Sequence, residues 1–369
     1  MTDIAIVGGG LAGLINAILL ARKGFSVVLF EKKSYPFHRV CGEYISNEVV
    51  PFLKQNDLYP DHLATAQISK FLLTSTKGRR SDLNLDLGGF GISRYEFDYF
   101  LYKKALDAGV DCRTDSSVEE VEFLDTHFNV KLRSETIQSK LVIGAFGKRS
   151  KLDKKLNRPF IQKKSPYLGV KYHLKTDFPD DTIALHNFQG GYCGISKIEN
   201  DTYNLCYLSA RSVLKESGNI PEMEERILHK NPFLKFIFKN SEFVFDSPLV
   251  INEISFENKL PVENHILMSG DSAGMIVPLC GNGMAMAIHS AKILSNTIIN
   301  HWNKGELDRE KLENEYVNSW NRVFYFRLWS GRKIQSLFGS TTASNLAVNL
   351  ARIKPIANSM LGLTHGKEF

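Results

Sequence analysis

The sequence predicts an α/β protein in which a parallel sheet wound with helices is interrupted by a second, mainly antiparallel sheet. Three observations carry that expectation. The chain opens on an apolar run, DIAIVGGG (3–10), then a helical pattern closed by Gly24, LAGLINAILLARKG (11–24), then a β-branched run, FSVVLFEKK (25–33), which together read as a βαβ unit. Buried-strand patterns return much later, at LVIGAFG (141–147) and HILMSGDSAG (265–274), so the parallel sheet is discontinuous in sequence. Between them ISKFLLTST (68–76), SDLNLDL (81–87), YLGVKYHL (167–174) and TYNLCYL (202–208) show the alternation or β-rich composition of antiparallel strands. RYEFDYFLYKKALDAG (94–109) reads as a helix, and from about residue 305 the chain is helical, including the aromatic and basic WNRVFYFRLWSGRKIQSLF (320–338). That last segment reads as a packing helix, with a membrane-surface helix as the alternative.

Composition sets the bounds. A chain of 369 residues buries a full core without metal or disulfide support. Forty-six Lys and Arg against forty Asp and Glu leave a formal charge of +6, spread along the sequence instead of gathered into tails, which argues against a nucleic-acid partner. Cys41, Cys112, Cys193, Cys206 and Cys280 are odd in number and form no CxxC pair, so neither a disulfide framework nor a zinc site is expected. With an acidic residue, Asp3, ahead of the first strand and no apolar run near 18 residues, the expectation is a cytoplasmic protein with at most peripheral membrane contact.

The βαβ unit carries the first chemistry. Gly8, Gly10 and Gly13 form GxGxxG between strand and helix, and Glu31 ends the second strand eighteen residues after Gly13. One glycine makes the tight turn, one lets the backbone approach a pyrophosphate, and one lets the helix pack on the strand, while the acid accepts from ribose hydroxyls. An acid at that position suits an unphosphorylated ribose, as in FAD or NAD. A second glycine-rich segment, GDSAGMIVPLCGNGM (270–284), precedes the helical MAMAIHSAKILS and calls for a long ligand or a second one.

Gly270 and Asp271, followed by Pro278, Gly281, Asn282 and Gly283 leading into a helix, resemble the second FAD fingerprint of the flavoprotein superfamily that holds para-hydroxybenzoate hydroxylase, geranylgeranyl reductases and flavin-dependent halogenases. The resemblance implies a Rossmann-type FAD-binding domain built from residues 1–58, 90–165 and 248–304. It implies a substrate domain from 59–89 and 166–247, and C-terminal helices over 305–369. It places the ADP half of FAD on the first loop and the flavin half on the second, with Asp271 accepting from a ribityl hydroxyl and amides near Gly283 and Met284 facing the pyrimidine edge. By the same resemblance Arg39 and Arg94 lie near the pyrophosphate or ribityl chain and Val118 near the adenine. Leu11, Ala12, Lys32, Cys41 and Gly147 complete the expected lining.

HRVCGEYIS (38–46) resembles the Cys-Gly-Glu segment of the geranylgeranyl reductases, which makes reduction of a carbon-carbon double bond in a hydrophobic substrate the expected reaction. Cys41, Glu43 and Tyr192 are then the candidate proton donors. Leu83, Leu85 and Leu87, with Tyr172 and Leu174, suggest an apolar substrate wall. The alternative is a monooxygenase acting on an aromatic or lipid-like substrate, although GAFGKRS (144–150) has Phe146 where many hydroxylases carry Asp. GGYCGISK (190–197) lacks both the Trp and Pro of the reductase pattern and the Trp-rich signature of a halogenase. A flavin-binding protein without turnover and an NAD-dependent dehydrogenase are further readings. No second strand–GxGxxG–helix unit is present, so electrons are expected from NAD(P)H bound transiently or from a separate reductase.

Overall fold

The computed structural model describes residues 1–163, 165–277, 282–303, 306–335, 340–353, 355 and 366–369. Strand β1 (Thr2–Val7) is apolar because both its faces are covered, and Ile4, Ala5 and Ile6 are fully buried. It turns into helix α1 (Leu11–Ala21) and returns as β2 (Val27–Phe30), parallel to β1 with Ile4 opposite Val27. The chain then makes β3 (Tyr44–Ser46), α2 (Val50–Gln55), β4 (Ala66–Thr74) and β5 (Arg80–Gly91) before helix α3 (Arg94–Asp107), which starts where the Ser93 hydroxyl accepts from the Glu96 amide. Next come β6 (Asp111–Arg113), the hairpin β7 (Val118–Leu124) and β8 (His127–Leu132), and β9 (Thr136–Gly144). A short α4 (Lys151–Lys155) leads to β10 (Tyr167–Lys175), β11 (Thr182–Phe188), β12 (Gly191–Lys197) and β13 (Tyr203–Ala210). Helices α5 (Arg211–Ser217), α6 (Ile220–Arg226) and α7 (Pro232–Asn240) follow, then β14 (Glu242–Phe243), β15 (Leu249–Ile254), β16 (Val262–Glu263) and β17 (Ile266–Met268). Helices α8 (Gly283–His301), α9 (Arg309–Gln335) and α10 (Thr341–Ala351) close the described chain.

These strands form two large sheets. The first runs β16-β17-β9-β1-β2-β6, parallel except for β16, with the β7–β8 hairpin joined to β9. The second runs β14-β10-β13-β12-β11-β4-β5-β3, with β15 also beside β10. It is antiparallel apart from the β4–β11 pair, where Thr182 lies opposite Lys70. The α/β class with a discontinuous parallel sheet, a mainly antiparallel second sheet and a helical C-terminal region is as expected from sequence.

Details differ from that expectation for local reasons. Strands β3 and β15 pair into the second sheet, so it draws on residues outside 59–89 and 166–247; short edge strands carry too few alternations to announce their partner. The run 265–274 is strand only to Met268, because Gly270 adopts φ of +64° and 270–272 closes into a 3-10 turn. The leucines of 83–87 and Tyr172 with Leu174 do not share one wall. Leu83 packs beside Tyr192, whereas Tyr172 and Leu174 lie on the opposite face of the second sheet against Met223, Leu234 and Ile237 of α6 and α7. Among the described residues no helix is long and apolar enough to cross a membrane.

Candidate functional site

Helices α1 and α8 follow β1 and β17, which run parallel with β9 between them, so both helices start at the same edge of the first sheet. They pack side by side there, and the turn after β17 presses on α1 as well: a Cβ on Gly270 would stand 2.9 Å from the Ala12 Cβ. Neither start has a side-chain cap: Gly10 has no side chain to offer, and Asn282 makes no capping hydrogen bond. The first-turn amides of Leu11, Ala12 and Gly13, and of Gly283 and Met284, therefore face out of the two helix ends. The first glycine turn is tight. Gly8 adopts φ of +109°, and the Gly8 carbonyl approaches Gly13 so closely that a Cβ there would lie 1.9 Å from the oxygen.

Around this turn four charged side chains interlock. Glu31, 4 % exposed, accepts from the Gly9 amide at 3.0 Å, the Lys33 amide at 3.2 Å and Arg39 Nη2 at 3.0 Å. Arg39 also donates to the Gly9 carbonyl and, through Nε, to Asp98 at 2.9 Å. Asp98, on α3, is clasped by Arg94 through Nε and Nη2 at 2.6 and 2.7 Å. The two predicted arginines are thus held together beside the glycine turn by an aspartate that sequence reasoning missed. A carboxylate offers about four acceptor positions, and three on Glu31 are taken, which leaves one for a ribose hydroxyl. Lys32 is exposed next to it. Val118, at the start of β7, is buried two residues beyond Ser116, whose amide donates to the Glu31 carbonyl.

The second loop is braced from below. Arg158, 1 % exposed, reaches Asp153 at 2.9 Å, Glu263 at 2.5 Å and the Ser272 carbonyl at 3.0 Å. Lys259 Nζ donates to the Lys148 and Asp271 carbonyls, each at 2.7 Å, tying the loop after β9 to the loop after β17; its burial pulls its pKa down to about 8. The Gly147 amide donates to the Ser272 hydroxyl at 2.8 Å. These contacts fix the backbone of Asp271 while its half-buried carboxylate makes no side-chain hydrogen bond to another described residue. Asn282 is held by Glu48, fully buried, which accepts from Asn282 Nδ2 at 2.9 Å and from Arg327 of α9 at 3.2 Å. Pro278, Cys280 and Gly281 lie outside the described residues.

Cys41, Glu43 and Tyr192 do not converge on one point. Glu43, fully buried in a left-handed backbone conformation, binds Lys171 Nζ at 2.5 Å, His173 Nε2 at 2.7 Å and the Arg94 amide at 2.8 Å. Burial alone would raise its pKa, but Lys171, then His173, outweigh it and hold the carboxyl below its usual value. Glu43 is therefore an ionised anchor and does not suit the proton-donor role expected for it. Cys41 is half-buried, and Asn204 Nδ2 on β13 grips its carbonyl at 3.2 Å and that of Gly42 at 2.8 Å. Beside it the site is open, since a Cβ on Gly42 would meet nothing within 4 Å, and the same holds at Gly147. Tyr192 lies on the same sheet face in an apolar cluster with Leu185, Leu208, Met275, Val348 and Ala351.

Two helix starts without side-chain caps at one sheet edge, an acid beside the first and, beside the second, an acid with no side-chain hydrogen bond to a described residue suit one extended, anionic dinucleotide. The donors present fit FAD, whose two halves need one such helix start each. The arrangement defines a flavin-dependent oxidoreductase site. The chain belongs to the FAD binding domain family, which matches residues 1–205. It is 25 % identical over 339 residues to the digeranylgeranylglycerophospholipid reductase of Methanosarcina acetivorans, covering 87 % of this chain and 81 % of that protein. Its fold resembles the flavin-dependent halogenase CmlS, with a TM-score of 0.78, 20 % identity and coverage of 93 % of this chain and 66 % of that one. It also resembles a geranylgeranyl bacteriochlorophyll reductase-like protein from Thermoplasma acidophilum, with a TM-score of 0.76, 17 % identity and coverage of 98 % and 96 %.

Asp271→Ala is expected to leave the fold intact and weaken FAD binding about tenfold to a hundredfold, the worth of about 1–3 kcal/mol for a hydrogen bond in a desolvated site. Titration of the flavin-free protein with FAD, followed by fluorescence quenching, measures it. Unchanged affinity would remove Asp271 from the cofactor site.

Proposed function

We propose that this protein reduces a carbon-carbon double bond in a hydrophobic, isoprenoid-like or lipid-like substrate. The observation that carries the reading is the apolar face around Tyr192, on the same sheet face as Asn204, whose side chain holds the Cys41 and Gly42 carbonyls. Bound and reduced, FAD supplies a hydride. The chain's own residues then hold an apolar substrate against Leu185, Leu208 and Met275, exclude water, and deliver a proton to the second carbon from the Cys41 Sγ. Tyr192 Oη is the other candidate donor. Glu43, kept ionised by Lys171 and His173, acts by orienting the segment that carries Cys41. The likeness to an archaeal lipid reductase supports this reading. Electrons come from NAD(P)H bound transiently or from a partner reductase.

The test is anaerobic. Enzyme holding reduced FAD is mixed with isoprenoid or polyene lipids and its reoxidation followed, and Cys41→Ala should slow that step about a hundredfold, within the range for loss of a positioned acid, with FAD content unchanged. Incorporation of labelled oxygen into product on aeration, with no reoxidation by alkenes, would overturn the reading in favour of a monooxygenase.

A further inference from the structure

From Tyr316 to Lys367 the sequence carries no Asp or Glu, although the chain holds forty in all, and it carries seven basic residues: Arg322, Arg327, Arg332, Lys333, Arg352, Lys354 and Lys367. Helix α9 crosses the first half of that stretch. Its inward face is apolar and buried through Leu312, Tyr316, Trp320 and Phe324. Its outward face should then be polar. Instead Tyr325, Phe326 and Trp329 are 65 %, 58 % and 45 % exposed, with the rings of Phe326 and Trp329 stacked at 5.9 Å. Arg322 and Lys333, both exposed, bracket them one helical turn to either side, and Lys333 Nζ lies 6.0 Å from the Trp329 ring. Helix α10 and the residues after it add Leu346 at 53 % and Ile353 at 49 %.

We infer that the outward face of α9 docks on an anionic lipid surface. The polar-tipped rings of Tyr325 and Trp329 and the phenyl ring of Phe326, set between long cationic side chains, suit the headgroup boundary of a bilayer, where rings enter the interface and ammonium and guanidinium groups reach the phosphates. The sign of the charge selects the occupant. A second copy packed two-fold on this face would set the Arg322 and Lys333 of one copy against those of the other. An anionic membrane neutralises both. The same C-terminal region turns inward at Val348 and Ala351, which pack beside Tyr192, so the segment on the lipid would also wall the apolar cluster.

The test uses the full chain loaded with FAD, sedimented with vesicles of phosphatidylcholine alone or with about one-third phosphatidylglycerol. Binding should be at least about tenfold stronger to the anionic vesicles and should fall in about 1 M salt. Tyr325→Ser, Phe326→Ser and Trp329→Ser combined should cut binding about tenfold or more at unchanged flavin content, and Arg322→Glu with Lys333→Glu should do the same. Brominated lipids should quench the fluorescence of the unaltered protein and lose most of that effect in Trp329→Phe, which keeps the apolar bulk. Equal binding to both vesicles, no binding to either, or no response to these substitutions would overturn the inference. So would a dimer in solution that the triple serine variant splits, which would make this face an interface between copies.

Discussion

Lys171→Met is expected to lower the free energy of unfolding by about 3–5 kcal/mol at neutral pH, because it leaves the Glu43 carboxylate charged inside the protein. Both partners are fully buried and lie 2.5 Å apart. The methionine fills the volume of the lysine stem, so the loss reports the orphaned charge and not a cavity. The pH dependence has a definite sign. In the unaltered protein the Glu43 pKa is depressed, so its contribution is present above the ordinary carboxylate range and is lost as pH falls through the folded value. In the variant, burial raises that pKa with less to oppose it, and protonation relieves the stranded charge. The destabilisation should therefore be largest near pH 7 and shrink on acidification. Adding Glu43→Gln should restore part of the loss, since the two sites interact directly. Thermal unfolding from about pH 5 to pH 8 measures all three variants. A pH-independent loss, or no rescue by the second substitution, would show that Lys171 matters only for packing.

That ion pair also shows what a linear reading of the chain can and cannot find. Gly8, Gly10, Gly13 and Glu31 meet in space within one βαβ unit, so spacing alone announces them. Glu43 and Lys171 are 128 residues apart, and Arg158 stands 114 from the Ser272 carbonyl it braces. Nothing local marks such partners. Asp153 closes a capping box with Ser150 at the start of α4 and also pairs with Arg158, and the second task leaves no local trace. Alternation told which residues share a strand face but not which faces join: Leu83 and Tyr172 both alternate, and the sheet sends them to opposite sides. The parallel β4–β11 pair inside an antiparallel sheet is hidden for the same reason, because side-chain period is two in either pairing. The Asp98 clasp on Arg39 and Arg94 needed the position of α3 against the glycine turn, which only the folded chain provides.

Gly13→Val should abolish stable FAD binding. A Cβ at position 13 would lie 1.9 Å from the Gly8 oxygen, 3.1 Å from its carbonyl carbon and 3.3 Å from the Ala145 Cβ, so neither the turn nor the neighbouring strand end can give way alone. Helix α1 must move off β1, and its first-turn amides at Leu11 and Ala12 leave the line on which the glycine turn aims them. Overpacking of this kind costs about 1–3 kcal/mol of stability, and a branched side chain on the packed face of a helix falls at the upper end. The cofactor should suffer more. A pyrophosphate held by several aligned amides loses them together when the helix tilts, and affinity is expected to fall at least about a hundredfold, or about 2.7 kcal/mol. The flavin-to-protein absorbance ratio of the purified variant, and its recovery on titration with FAD, reads the second effect, while thermal unfolding of both proteins without FAD reads the first. A variant that keeps full flavin and loses only stability would mean that the α1 start packs the fold without holding the cofactor.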